Sequence, residues 1–171
     1  MTRPDPSLLD DVVAARVLEA LRSASSALRT LGIRHVVVGG LAVGANGTPR
    51  ATKSVEFLVG AEAFEHHPGG FVSMKPGVPI QINGVAIDLL SVQAGEDHLA
   101  SALDAPMGSM IEAPQLVYMK LKSPRQQDRV DVIDLIKAGI EIEACRAYLK
   151  AHAPALVASF EDAVVKAAAE E

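Results

Sequence analysis

A pair of glycines, two polar positions and a lone aspartate carry the chemistry that this sequence offers. The stretch VVVGGLAVGANGTPRATKSVEFLV, residues 36–59, ends one apolar run in Gly39-Gly40 and opens the next with Ser54 and Glu56 two residues apart. Without Cβ atoms, two glycines at a strand end let backbone N–H groups approach an anion closely, and a following helix adds the positive end of its dipole. The plain alternative is a tight strand-to-helix turn. Residues i and i+2 of a strand point to one face, so Ser54 and Glu56 share a side and Val55 takes the other. Asp88 sits among apolar neighbours in VAIDLLS. Such an aspartate is costly unless paired, hydrogen-bonded or bound to a metal, or unless it is solvated near a strand end. If Glu56 and Asp88 meet at one sheet edge, they form an oxygen-rich Mg²⁺ site. Arg50 and Lys53, just ahead of the second strand, are candidates for phosphate.

The remaining polar signals are weaker. Lys120 and Lys122 lie two apart on an expected helix and do not share a face, which fits an exposed basic rim. Asp128, Asp131 and Asp134 recur every three residues, as a solvated acidic stripe would, with Arg125 and Asp128 as an i,i+3 surface pair. A salt bridge from that helix into a pocket is the alternative. His66-His67 ahead of Pro68-Gly69-Gly70 reads as an exposed turn, because no further metal ligand is evident nearby. His35 reads as structural, and Cys145 as buried and inert.

The elements that must position these residues follow from periodicity and punctuation. Apolar residues at helical spacing after Ser7, with Gly32 as a stop, predict a helix over residues 7–31. Strands are expected at 34–38, 53–60, 71–75, 78–82 and 85–92, with Asn83-Gly84 as a tight hairpin turn. A short helix is expected after Gly39-Gly40, in LAVGANG. AEAFEHHPGG predicts helix then turn, EDHLASAL a short helix, and GSMIE a short edge strand. Pro114 and Pro124 open two helices at their first positions, and two more complete the C-terminal third. The fold class is α+β: a small mixed β-sheet with helices packed on one side of it and a helical C-terminal part. The chain reads as a single domain, residues 1–171, with a helical subdomain over about 114–171. GG followed by short turns lacks both the G-x-G-x-x-G spacing and the crossover helices of a dinucleotide-binding doubly wound sheet.

The bulk properties set limits. The 171 residues are 49% apolar, with four Phe, two Tyr and no Trp, so an aliphatic core is expected and disorder is not. A formal net charge of −5 argues against a broad basic surface for duplex nucleic acid, though not against a local basic patch. One cysteine allows neither an intramolecular disulfide nor a Cys-based zinc site and fits a reducing cytoplasm. The N-terminus has no apolar signal core, and the longest apolar run, around residues 36–45, is too short to cross a bilayer.

Taken in order, Gly39-Gly40, a short helix, Gly47, Arg50, Thr52, and a strand with polar positions two apart resemble the nucleotidyltransferase (polymerase-beta-like) superfamily. They are most similar to its AbiEii-like branch, which includes bacterial toxin components. Lys120, Arg125, Asp128 and Asp131 match a helical signature of that branch, and the resemblance covers roughly residues 34–137. It implies a nucleotidyltransferase-like fold and NTP binding at Gly39, Gly40, Arg50, Thr52, Lys53 and Lys120. It also implies a third carboxylate at Asp88 and Mg²⁺ held by Glu56 and Asp88. An active member moves a nucleoside monophosphate from Mg²⁺-NTP to an RNA, protein or small-molecule acceptor, and an antitoxin or a second copy of the chain is the expected partner. The departure is in the Asp-x-Asp pair, replaced here by Ser54 and Glu56. Ser54 removes a charge and Glu56 adds a methylene, which Mg²⁺, with its strict octahedral demands, tolerates poorly. A degenerate catalytic set of Ser54, Glu56 and Asp88, weakly active or inactive, is therefore expected within a toxin–antitoxin or defence setting.

Overall fold

The computed structural model describes residues 3–170. Seven strands are seen among them: β1 (His35–Val38), β2 (Val55–Val59), β3 (Phe64–His66), β4 (Val72–Met74), β5 (Gln81–Ile82), β6 (Val85–Ser91) and β7 (Ser109–Met110). The α-helices are α1 (Ala15–Thr30), α2 (Gly39–Ala45), α3 (Ala113–Lys122), α4 (Gln126–Lys137), α5 (Ile142–His152) and α6 (Val157–Ala169). The main sheet has the order β5-β6-β2-β1-β7, and β3 and β4 form a separate hairpin. β1 runs antiparallel to β2 and parallel to β7, while β2 runs parallel to β6. The mixed α+β architecture is thus the one the sequence predicts, except that helices cover both faces of the sheet where one was expected, because apolar side chains point both ways from β1 and β2.

Strand periodicity divides the core into two. Val37, Val55, Phe57, Val59 and Ile87 point to the α1 side, where Leu18, Ala24 and Leu28 cover them. Val36, Val38 and Leu58 point to the other side, onto α3, α4, α5 and α6 through Leu116, Val132, Leu135 and Phe160. The sheet's central strands read as near-continuous apolar runs because both of their faces are covered. Glu56, two residues before Leu58 on the same face, is therefore aimed at the helical layer.

Several local expectations are corrected. The helix expected over 7–31 is broken: Pro6–Leu9 is a 3-10 turn capped by Asp5, whose carboxylate accepts from the Ser7 N–H at 3.0 Å, and α1 begins only at Ala15. Leu9 is buried against Gly44 of α2, where an added Cβ would lie 2.6 Å from Leu9 Cδ2. That packing draws the chain off the α1 axis. Residues 64–66, expected helical, form β3, since the turn 67–71 with Gly69 and Gly70 at positive φ closes a hairpin to β4. EDHLASAL is a 3-10 rather than an α-helix, Asp97–Asp104. The strand expected over 78–82 shrinks to Gln81–Ile82, because Pro79 has no N–H to continue the ladder. The edge strand in GSMIE and the Asn83-Gly84 turn, with Asn83 at φ 50°, appear as expected.

Candidate functional site

The glycine pair occupies the first turn of α2, which begins two residues earlier than a turn-then-helix reading places it. Gly39 has φ +67°, a conformation that L side chains rarely adopt. An added Cβ there would lie 1.5 Å from Glu56 Oε2. Position 39 must therefore be glycine on two counts, and the Glu56 carboxylate rests directly on its backbone. At Gly40 an added Cβ would lie 3.0 Å from Thr52 Oγ1 and 3.4 Å from Arg50 Nη2. The segment after Gly47 thus folds back so that Arg50 and Thr52 crowd the second glycine while Glu56 meets the first.

Parallel pairing of β2 and β6 puts Glu56 in register with Asp88. Registered residues share a sheet face, so the two carboxylates are neighbours on the side of the helical layer. Asp88 is exposed and Glu56 half-buried. Ser54 lies just ahead of β2, half-buried, and Lys53 beside it is exposed. No group of three or more His, Cys, Asp or Glu able to hold a metal occurs among the described residues.

The helical wall is organised differently. Ser123 takes an extended ψ of 138° ahead of Pro124, which ends α3 and lets α4 fold back against it. Lys120 of α3 then meets two carboxylates of α4: its Nζ is 2.9 Å from Asp128 Oδ1 and 2.9 Å from Asp131 Oδ2. Arg125 grips Asp128 with both donors, Nε at 2.8 Å and Nη2 at 3.0 Å, and Ser123 Oγ donates to the same carboxylate. Asp131 also accepts from Gln127 Nε2 at 2.9 Å and from Arg50 Nη2 at 3.1 Å. Arg50 therefore ties α4 to the glycine segment, and its Nε is buried without a hydrogen-bond partner.

Two sequence expectations fail here. Asp128 and Asp131 are 2% and 0% exposed, so the stripe is not a solvated face, and Lys120 at 5% is no rim residue. Spacing within α4 could not reveal this, because the matching cation comes from another helix. Burial acts to raise the Asp128 pKa, but hydrogen bonds from Arg125, Ser123 and Lys120 outweigh it and hold the carboxyl far below its usual range.

Between the β2–β6 face and the α3–α4 wall lies a cleft of ≈ 550 Å³. Gly39, Glu56, Lys120, Lys122 and Arg125 line its polar part, and Leu58, Leu90, Leu99 and Met119 its apolar part. Asp88 stands outside that lining. The cleft wall also holds a group that sequence spacing missed. Glu96, only 7% exposed, accepts from Tyr118 Oη at 2.5 Å and pairs with Lys122 at 2.5 Å. Burial pushes Glu96 up, yet Lys122 and Tyr118 pull it down further, leaving its carboxyl below the ordinary value. Nothing periodic marks Glu96; Gly95 at φ +83° is the one local hint of a turn that would aim it inward.

The other histidines and the cysteine fall outside the cleft. His35 is 1% exposed, held between Ser25 Oγ at 2.7 Å and the Ile33 carbonyl at 2.8 Å, a structural role as expected. His66 is exposed, and His67 stacks on Phe71 and bonds Ser73 Oγ at 2.6 Å. Cys145 is fully buried, and burial pushes its thiol up to about 12.

No family model matches the sequence, and no curated protein matches it. Among solved structures the chain is similar to an antigenic nucleotidyltransferase-like protein from Paracoccidioides brasiliensis, with a TM-score of 0.45 and 12% identity over 88% of this chain and 94% of that one. No helix among the described residues is long and apolar enough to cross a membrane.

Proposed function

We propose that this chain is a nucleotide-binding protein of the nucleotidyltransferase type, a degenerate relative of toxin-type transferases with weak or no transfer activity. The observation that carries the reading is the placement of Glu56: its carboxylate lies on the backbone of Gly39, in register with Asp88, at the polar end of a cleft with cations on the opposite wall. Motif order along the sequence supports the same reading. Arg50, which crowds Gly40 with its side chain 37% exposed, and Lys122 and Arg125, with side chains 38% and 67% exposed, are the groups suited to phosphate oxygens. Lys53 can add to them from the rim. Lys120 is committed to Asp128 and Asp131, so its part is to fix the wall rather than to reach across the cleft.

The donor set supports one reading of the metal. Two carboxylates, Glu56 and Asp88, suit one Mg²⁺ that arrives with a triphosphate and keeps several waters. They do not suit a two-metal arrangement, because Ser54 offers a neutral hydroxyl where a bridging charge is needed and no third acidic group joins them among the described residues. A bound Mg²⁺ would neutralise phosphate charge. The protein's own residues would orient the nucleotide through Arg50, Arg125 and the Gly39-Gly40 backbone. Metal-centred stabilisation contributes several kcal/mol in phosphoryl transfer, and each 1.36 kcal/mol is tenfold in rate, so a missing metal slows transfer by about three orders of magnitude.

The test is calorimetry with Mg²⁺-ATP and Mg²⁺-GTP, alongside incubation with labelled NTPs and RNA or protein acceptors. Nucleotide binding that Asp88→Ala weakens, with little or no label transferred, is the expected result. Transfer at ordinary enzyme rates would overturn the degenerate reading, and absence of nucleotide binding would overturn the site.

A further inference from the structure

The main sheet has an unfinished edge beside the cleft. β5 covers only the start of β6: Gln81 pairs with Ala86 and Ile82 with Val85, and the Ile87 N–H reaches the Ile80 carbonyl at 3.0 Å. Pro79 then interrupts the ladder, and the chain leaves the edge through a turn in which the Val78 N–H bonds the Lys75 carbonyl. β6 itself continues for four more residues, through Ser91.

The direction of the unfilled groups follows from the pairing. In a parallel ladder the residues of one strand alternate, one turning both backbone groups to the neighbour and the next turning both away. Ile87 turns outward, since its N–H meets Ile80, so Leu89 and Ser91 also turn outward. Asp88 and Leu90 serve β2 instead. Neither the Leu89 N–H and carbonyl nor the Ser91 N–H has a hydrogen-bond partner among the described residues. Leu89 and Leu90 point to opposite sheet faces, yet both line the cleft, together with Phe64. The cleft therefore wraps around the strand edge and reaches its backbone. Ile80 and Leu90 flank that place, 64% and 41% exposed.

We propose that this edge takes one extended segment of a partner polypeptide, added to the sheet in line with β5 and hydrogen-bonded to Leu89 and Ser91. Two donors and one acceptor at strand spacing, flanked by exposed aliphatic side chains, match the backbone and alternating side chains of a short peptide strand. Asp88, exposed two positions before Leu90 on the same face, disfavours a nucleic-acid backbone along this edge. The segment's residue opposite Leu90 faces the cleft, two positions along the strand from Asp88. The docking does not depend on nucleotide binding.

The experiment follows backbone amides by NMR on the ¹⁵N-labelled protein. The probe is a capped octapeptide alternating Val and Thr between terminal lysines, at millimolar concentration, compared with the same peptide N-methylated on alternate residues. The peptide is expected to slow hydrogen exchange at Leu89 and Ser91 by about tenfold, and N-methylation to weaken binding by about as much, because the paired backbone groups are removed. Leu89→Pro deletes one outward donor and abolishes the protection. Should that variant not fold, the N-methylated peptide still decides the matter. Unchanged exchange at both amides, equal binding of the N-methylated peptide, or protection by oligouridylate instead of peptide would each overturn the proposal. So would protection that grows with protein concentration and no peptide, which would assign the edge to a second copy of this chain. Mg²⁺-ATP is titrated separately and read at Gly39 and Gly40, so the two readings fail independently.

Discussion

The two walls of the cleft hold their charges in opposite ways. On the strand side, Glu56 and Asp88 sit in register with no ion pair to either among the described residues, and Asp88 is exposed. On the helical side, Lys120, Asp128 and Asp131 are buried and each is matched at 2.9 Å. The contrast separates charges committed to the fold from charges that stand open. Removing one partner of a buried, matched set leaves an uncompensated charge, whereas removing a solvated carboxylate leaves nothing stranded.

The contrast breaks most visibly at Asp131. Asp131→Ala leaves Lys120 and Arg50 short of an acceptor and should destabilise the chain by about 3–5 kcal/mol in urea unfolding. Acid acts on the same wall. Asp128 binds its proton less tightly folded than unfolded, so its stabilisation is complete above about pH 4, the ordinary carboxylate value, and is lost as pH falls toward the depressed folded value. A urea midpoint that stays flat from neutral pH into that acid range would contradict this.

Gly39→Ala comes next. It places a side chain in the left-handed region and displaces the Glu56 carboxylate, for an expected loss of about 1–3 kcal/mol together with weaker nucleotide binding. Nucleotide affinity unchanged in a folded Gly39→Ala protein would separate the glycine from the site. Restoring charge sharpens the other wall: Ser54→Asp with Glu56→Asp should tighten Mg²⁺-ATP by about tenfold, a change of roughly 1.4 kcal/mol, as calorimetry would read it. The smallest effect on stability belongs to Asp88→Ala, within about 0.5 kcal/mol, while Mg²⁺-ATP binding falls. An unfolding midpoint as damaged as that of Asp131→Ala would erase the difference between the walls.

Much of the strand side was legible in the sequence. Alternation in SVEF is a local property, and it put Glu56 on the face opposite Val55, as β2 has it. The glycine pair marked a backbone position with no room for a side chain. The helical side was not legible in the same way. Spacing of three along α4 is equally compatible with solvent or with a partner, and the partner, Lys120, comes from a helix turned back by Ser123-Pro124. Glu96 carried no periodic signal, and its neighbours Tyr118 and Lys122 are more than twenty residues away. The break between Leu9 and Ala15 was hidden because the apolar spacing persists through it, while the packing of Leu9 on Gly44 is a long-range contact.

By itself the sequence determined the mixed sheet and an aliphatic core, and it supplied the residues proposed to bind phosphate or a hard cation, since each rests on periodicity, turn chemistry or side-chain type. Only the tertiary structure decided which charges are already neutralised and which stand open, where β6 loses its neighbour, and that Glu56 rests on Gly39. Those outcomes depend on distances between segments far apart in the chain, and pairing across such separations is a property of packing, to which local pattern is blind.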